Sequence, residues 1–262
     1  MNDMNPSSFD KLGRLSFPEG QSGIVISALQ DQGLLEEIRA LVSRIFPEPT
    51  QYYIEMDPDA YRALILQGQE ELNASDFGRR LAQDRRGEIC AIMNTQAPMI
   101  QTNIYLRATR PSVTGIQENI GWHRESFYGP NMEESVNFWM PIANATKENA
   151  VRYIPESHQI PDADIETTSK ADDSVSKFSA GHKIGLLYAP KEIVNGVDLS
   201  ASQPLLVPDG SVALFAGALI HGAAANNSDQ IRFSIDFRMV AQECMAEDKE
   251  HFASGKSYFE LL

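Results

Sequence analysis

The sequence predicts one domain of mostly β structure, in which flanking helices cover a barrel-like sheet in an α+β arrangement. Two observations carry this. The first third of the 262-residue chain is patterned at helical period, and beyond residue 88 the texture changes to short runs of period two, punctuated by Gly, Pro and Asn. The length suits a single large domain, because all-β barrels with their covering helices often reach this size.

Residues 1–20 are polar, contain Pro6 and Pro18, and read as an arm or edge. The segment Asp31–Phe46 reads as an amphipathic helix: Leu34, Leu35, Ile38, Leu41, Val42 and Ile45 recur on one face, with Glu36, Glu37 and Arg39 between them. Further helices are expected over Asp59–Leu72 and Ser75–Arg86, with Asp57 and Ser75 as caps. Residues 1–87 thus form an arm and a helical cover. The barrel core is expected over 88–155 and 183–240, a lid or insert over 156–182, and a tail over 241–262.

Three strands are explicit. Gln101–Arg107 sets Gln101, Asn103, Tyr105 and Arg107 against Thr102, Ile104 and Leu106. Val136–Ile142 sets Asn137 and Trp139 against Val136, Phe138, Met140 and Ile142. Ile231–Val240 sets Arg232, Ser234, Asp236 and Arg238 against Ile231, Phe233, Ile235 and Phe237. In a barrel the apolar faces pack on helices and the polar faces line an internal pocket. Segment 156–182, rich in Asp, Ser, Thr and Lys, has the composition of a mobile lid or an inert insertion.

Composition excludes several function classes. A net charge of −14 argues against nucleic acid, whose phosphates need a basic patch, and gives no attraction to anionic membranes. The longest apolar runs, such as Val212–Ile220, are too short to span a bilayer, and the N-terminus does not read as a secretory signal. The two cysteines, Cys90 and Cys244, read as thiols of a cytoplasmic protein rather than as a bridge.

The chemistry lies in His123, Glu125 and His221, with Arg232 eleven positions further on. Two imidazoles and a carboxylate can cover one face of an octahedral iron(II) and leave the opposite face open. A lone His-x-Glu is weak evidence, but His123 and Glu125 in an extended strand would share one face, and GWHRESFYG surrounds them with aromatic residues between Gly121 and Gly129. A buried arginine flanked by Ile231 and Phe233 needs an anion. Asp236 on the same face would make a structural pair; a bound organic carboxylate would make a bidentate one.

These motifs together resemble the phytanoyl-CoA dioxygenase-like group of iron(II)/2-oxoglutarate dioxygenases. That pattern is W-H-x-D, a tryptophan-bearing strand, E-N-G…P-G-S-H, G-D-x-x-x-F leading to I-H-x-S/A, and an arginine eleven residues later. Here stand Trp122-His123-Arg124-Glu125, then Trp139, then Glu148-Asn149-Ala150 through Pro155-Glu156-Ser157-His158. Asp209-Gly210-Ser211-Val212-Ala213-Leu214-Phe215, Ile220-His221-Gly222 and Arg232 follow. The resemblance spans roughly residues 100–240 and implies a double-stranded β-helix (jelly-roll, cupin-like) barrel. It implies that His123, Glu125 and His221 hold Fe(II), and that Arg232 binds the distal carboxylate of 2-oxoglutarate beside Trp139. O2 would be the oxidant, with succinate and CO2 released. Asn103 is a further co-substrate candidate from its strand position, and His158 is structural. The chain departs from the pattern at Glu125, where Asp is usual, and at Ala223, where a Ser often helps hold 2-oxoglutarate; Ser234 can supply that hydroxyl.

The expected reaction is hydroxylation of a C–H bond in a polar or anionic small molecule or biosynthetic intermediate, because Arg107, Tyr128, Arg152, Asp236 and Arg238 stand beside Phe127 on candidate pocket faces. The alternatives are a cupin-like metal-dependent isomerase or hydrolase, or a non-catalytic ligand-binding barrel. Neither needs a cation eleven residues past the distal histidine.

Overall fold

A computed structural model describes residues 9–12, 14–18, 20, 22–111, 121–128, 132–169, 191–223, 225–245 and 257–262. The helices begin with α1 (Gln32–Ile45), capped by the Asp31 carboxylate on the Gly33 N–H and burying the same six apolar residues that the periodicity selects. After α2 (Thr50–Ile54) comes α3 (Pro58–Ala74), whose cap Asp57 accepts from the N–H groups of Asp59 and Ala60. The expected third helix is two: α4 (Phe77–Asp84) and α5 (Arg86–Met93). Ser75 closes α3 rather than opening α4, and the left-handed Asp76 (φ 56°) turns the chain between them.

The larger sheet is antiparallel and holds seven strands among the described residues. These are β3 (Ile24–Ala28), β4 (Pro98–Gln101), β5 (Tyr105–Thr109), β6 (Val136–Ala143), β11 (Ser211–Ala216), β13 (Arg232–Ala241) and β14 (Phe259–Leu261). Its order is β14-β4-β13-β6-β11-β3, and β5 pairs with the first half of β13. A smaller sheet joins β10 (Gln203–Pro204), β7 (Val151–Tyr153) and β12 (His221–Ala223). Two further antiparallel pairs stand among the described residues: β1 (Phe9–Leu12) with β2 (Leu15–Pro18), and β8 (Glu166–Ser169) with β9 (Lys191–Asn195).

The central strands β6, β11 and β13 are buried on both sides, for two different reasons. The apolar face packs on helices. Phe138 stacks on Phe237 at 4.5 Å, and Phe46, at the end of α1, meets Phe233 at 5.0 Å. Gly68 of α3 and Gly78 of α4 permit close approach, since a Cβ there would sit 2.7 Å from Leu106 Cδ2 and 2.5 Å from Ile104 Cγ2 respectively. The other face carries Arg232, Ser234 and Arg238, all buried, and points inward. On β13 the division of faces read from the sequence therefore holds.

One expected strand is revised. The expected strand Gln101–Arg107 is interrupted, because Asn73 of α3 accepts from the Ile104 N–H (2.8 Å) and donates to the Ile104 carbonyl (3.1 Å), replacing the ladder there. Among the described residues near the two ends, Leu15 and Phe17 are buried and β14 pairs with β4. Residues 156–169 carry two 3-10 turns (Ser157–Gln159 and Asp162–Asp164) leading into β8. The rest of the expected lid, 170–182, lies outside the described residues. Cys90 and Cys244 are both free and half-buried. No helix of the described residues is long and apolar enough to cross a membrane.

Candidate metal and co-substrate site

His123 and His221 face each other in an isolated antiparallel bridge, each N–H donating to the other's carbonyl at 3.0 Å. Each ring is oriented the same way. The Nδ1 of His123 lies 2.8 Å from the Gly121 carbonyl, and that of His221 lies 2.8 Å from the Leu219 carbonyl. A carbonyl only accepts, so Nδ1 carries the proton and Nε2 keeps a lone pair. The rings are 4.4 Å apart, and the buried His123 Nε2 has no hydrogen-bond partner. Burial, and then the neighbouring His221, push the His123 pKa down to about 3, so this ring stays neutral.

Glu125 reaches the same point by a different route from the expected strand. It opens a 3-10 turn, Glu125–Tyr128, and its N–H donates to the Gly217 carbonyl at 2.8 Å. Position 217 must be glycine, since a Cβ there would lie 3.2 Å from Glu125 Cβ and 3.0 Å from the Ser135 carbonyl oxygen. The carboxylate is 1% exposed and its Oε1 lies 3.6 Å from His221 Nε2. One ligand atom from each of His123, Glu125 and His221 falls within 4.8 Å of the others, and among the described residues this is the one such group able to hold a metal. Burial raises the Glu125 pKa, but Arg238 and the two imidazoles outweigh it and hold the carboxyl well below its usual range.

The surrounding motifs brace these ligands. Arg124 is buried, donates to the carbonyls of Ser157 (2.5 Å) and Ile160 (2.8 Å), and pairs with Asp162 at 2.5 Å, tying the His-x-Glu segment to the following turn. Ser157 Oγ accepts from the Ile220 N–H at 2.8 Å, one residue before His221. Its neighbour Glu156 sits at φ 59°, a conformation that favours glycine. The buried His158 packs on Gly23 and stands outside the metal-competent group.

Arg232 is 2% exposed on β13. Its Nη1 donates to the Asn149 carbonyl (2.6 Å) and its Nη2 to Thr109 Oγ1 (2.8 Å), while Nε has no partner. Asn149 is fixed in turn by bonds to Asn144 O, Ser228 Oγ and the Thr146 N–H. Arg232 makes no salt bridge with any described residue; Asp236 is engaged by Arg107 (2.5 and 2.9 Å) and Arg238 (2.7 Å) instead. Burial, reinforced by Arg107, lowers the Arg232 pKa to about 10. Two residues along the same face, Ser234 is wholly buried and its hydroxyl is likewise without a partner. An unpaired buried cation beside an unsatisfied hydroxyl calls for an anionic acceptor.

Of the other candidates, Trp139 lies buried on the inward face of β6, in register with Ala213 and Asp236. Tyr128 presents its ring edge-on to His123 at 5.8 Å. Asn103 does not join them: the break between β4 and β5 turns it to α3, where its Oδ1 accepts from Asn73 at 2.9 Å. Arg107 and Arg238 pair with carboxylates, and Arg152 donates to Ser202. The contacts of Arg124, Ser157, Asn137 and Arg238 with the ligand-bearing segments are new at this level.

The sequence profile described as "Phytanoyl-CoA dioxygenase (PhyH)" matches residues 24–234. No curated protein matches the chain. Among solved structures, it is similar to EvdO2 of Micromonospora carbonacea var. aurantiaca complexed with 2-oxoglutarate (TM-score 0.56, 14% identity, 87% of this chain and 92% of that one). It is also similar to the epimerase SnoN in complex with Fe3+, alpha ketoglutarate and nogalamycin RO (TM-score 0.53, 16% identity, 84% and 79%). At such identities the likeness is one of fold, the jelly-roll that the motifs imply. The profile spans four-fifths of the residues and both halves of the site, and so the chain belongs to the phytanoyl-CoA dioxygenase family.

Proposed function

We propose that this protein is an iron(II)- and 2-oxoglutarate-dependent oxygenase acting on a C–H bond of a small organic molecule, with hydroxylation as its default outcome. The observation that carries this reading is the presence of two unmet demands in one domain. The metal-competent group leaves a buried Nε2 open, and Arg232 with Ser234 leaves an anion site open on the inward face of β13. A ligand-binding barrel or a cupin-like hydrolase accounts for the first demand and not for the second.

In this reading His123 and His221 offer Nε2 and Glu125 offers a carboxylate oxygen to iron(II). Iron so held would supply oxygen activation, driven by conversion of 2-oxoglutarate and O2 to CO2 and succinate. The chain's own work is orientation and exclusion of water. Arg232 grips the distal carboxylate of the co-substrate with Nε and its remaining N–H groups, Ser234 adds a hydroxyl, and Trp139 forms an apolar side of the cavity. The carbonyls of Gly121 and Leu219 hold the two imidazoles in the tautomer that a metal requires. The name epimerase on SnoN indicates that outcomes other than hydroxylation are compatible with this fold, and product analysis separates them.

The test is an anaerobic titration of metal-free protein with iron(II) and then 2-oxoglutarate. A visible charge-transfer band from the chelate is expected in the wild type and absent in His123→Ala. Iron uptake without a band in the wild type would reject the co-substrate assignment.

A further inference from the structure

Glu125 is longer by one methylene than the aspartate usual in the motif, and its carboxylate is not left to find its own position. Two donors converge on Oε1: Asn137 Nδ2 from β6 at 3.2 Å and Arg238 Nη2 from β13 at 2.9 Å. Both donors are buried. Arg238 is itself immobilised. Its backbone N–H donates to Gln101 Oε1 at 3.1 Å, its guanidinium lies 5.6 Å from the Tyr105 ring centre, and its other arm donates to Asp236 Oδ2 at 2.7 Å. Asp236 is gripped from its far side by Arg107, so Arg107, Asp236, Arg238 and Glu125 form a continuous chain of alternating charge with no net charge.

We propose that Arg238 is the positioning residue of the metal centre: its fork spans Asp236 and Glu125 and fixes the longer carboxylate in the one orientation that presents it to iron. The inference rests on the iron-binding reading above. A glutamate free to rotate would have to be ordered when the metal binds. Held by Arg238 and Asn137, it is ordered when the chain folds. Groups that orient metal ligands in this way typically contribute 10–100-fold to metal affinity. An opposing effect exists, because a guanidinium near the site repels a divalent cation. Asp236 offsets that charge, so positioning is the larger effect and the sign of the change decides between them.

The experiment is a double-mutant cycle in iron(II) affinity, measured anaerobically by calorimetry on the metal-free protein, with thermal unfolding recorded for every variant. Arg238→Met in the wild-type background is expected to weaken iron(II) binding by roughly 10–100-fold. Arg238→Lys, which keeps the charge but not the fork, is expected to fall between. The decisive arm is Glu125→Asp. An aspartate stops one methylene short of Arg238, so adding Arg238→Met to it should cost less than about threefold more. A residue that merely stabilises the fold would give the same loss in both backgrounds. Should Arg238→Met fail to fold, Arg238→Lys in both backgrounds carries the same cycle. Additive losses, unchanged affinity or tighter binding in the Arg238 variants would each overturn the proposal. If the wild type binds iron and forms the 2-oxoglutarate band while the cycle is additive, this inference alone falls. If the wild type takes up no iron, the functional reading falls with it.

Discussion

Replacing Arg232 by methionine should weaken co-substrate binding far more than it changes fold stability. A guanidinium has five N–H donors, and Arg232 commits two of its groups, to Asn149 O and Thr109 Oγ1. Nε and the remaining N–H donors are available for a carboxylate. Two charge-assisted bonds at about 1.5 kcal/mol each amount to about 3 kcal/mol, or roughly 150-fold in 2-oxoglutarate affinity. Stability follows another sum. The arginine pKa, lowered from 12.5 to about 10, means that burial together with Arg107 costs the charged form about 3 kcal/mol. Methionine removes that cost but strands the buried Asn149 carbonyl and Thr109 hydroxyl, at about 1–3 kcal/mol each, so the two effects largely offset. The metal-free variant should therefore unfold close to the wild-type temperature. The assays are titration of the visible band with 2-oxoglutarate and thermal unfolding without ligand. Lower stability with unchanged 2-oxoglutarate affinity would show that Arg232 is an internal strut and refute the assignment.

Three further outcomes are expected. Ser157→Ala strands the buried Ile220 N–H and should lower stability by about 1–3 kcal/mol, read by urea unfolding, with weaker iron binding because Ile220 immediately precedes His221. Glu156→Gly relieves a left-handed residue at φ 59° and should raise the unfolding midpoint by the equivalent of up to about 1 kcal/mol; a lower midpoint would mean that the side chain matters more than the backbone. Stability of the metal-free protein should fall with acid. The His123 pKa, depressed from 6.5 to about 3 by burial, makes the unfolded chain the stronger proton binder, so its contribution is complete above pH 6.5 and is lost progressively towards pH 3. Unfolding free energies of wild type and His123→Gln that run parallel between pH 6.5 and 4 would contradict this.

The candidate residues His123, His221 and Arg232 were legible because their geometry is local. Each sits beside a turn or on a strand whose alternation assigns its face, and six apolar residues at helical spacing placed α1 within a residue at each end. What escaped depends on contacts between segments distant in sequence. Nothing within Gln101–Arg107 announces that Asn73 will capture the backbone at Ile104, and that capture is what turned Asn103 from the cavity to the helices. The partner of Asp236 was equally hidden. Arg232, Arg107 and Arg238 are all candidates by sequence, and only the register of β13 against β5 and β6 assigns it to the latter two. The contact of Arg238 with Glu125 further required the 3-10 turn, which a period-two reading of His-x-Glu does not contain.

The reciprocal bridge between His123 and His221 ties together positions about 100 residues apart, and a metal on the two imidazoles would make the same tie a second time through the side chains. A covalent link across a loop of that length removes chain entropy worth about 4–5 kcal/mol. Coordinate bonds at this point would share in that effect. Loading would then act as a clasp on the completed topology: nascent or partly unfolded chains, lacking the bridge, would hold the ion poorly, and the loaded protein would resist proteolysis more than its binding constant at either histidine alone suggests.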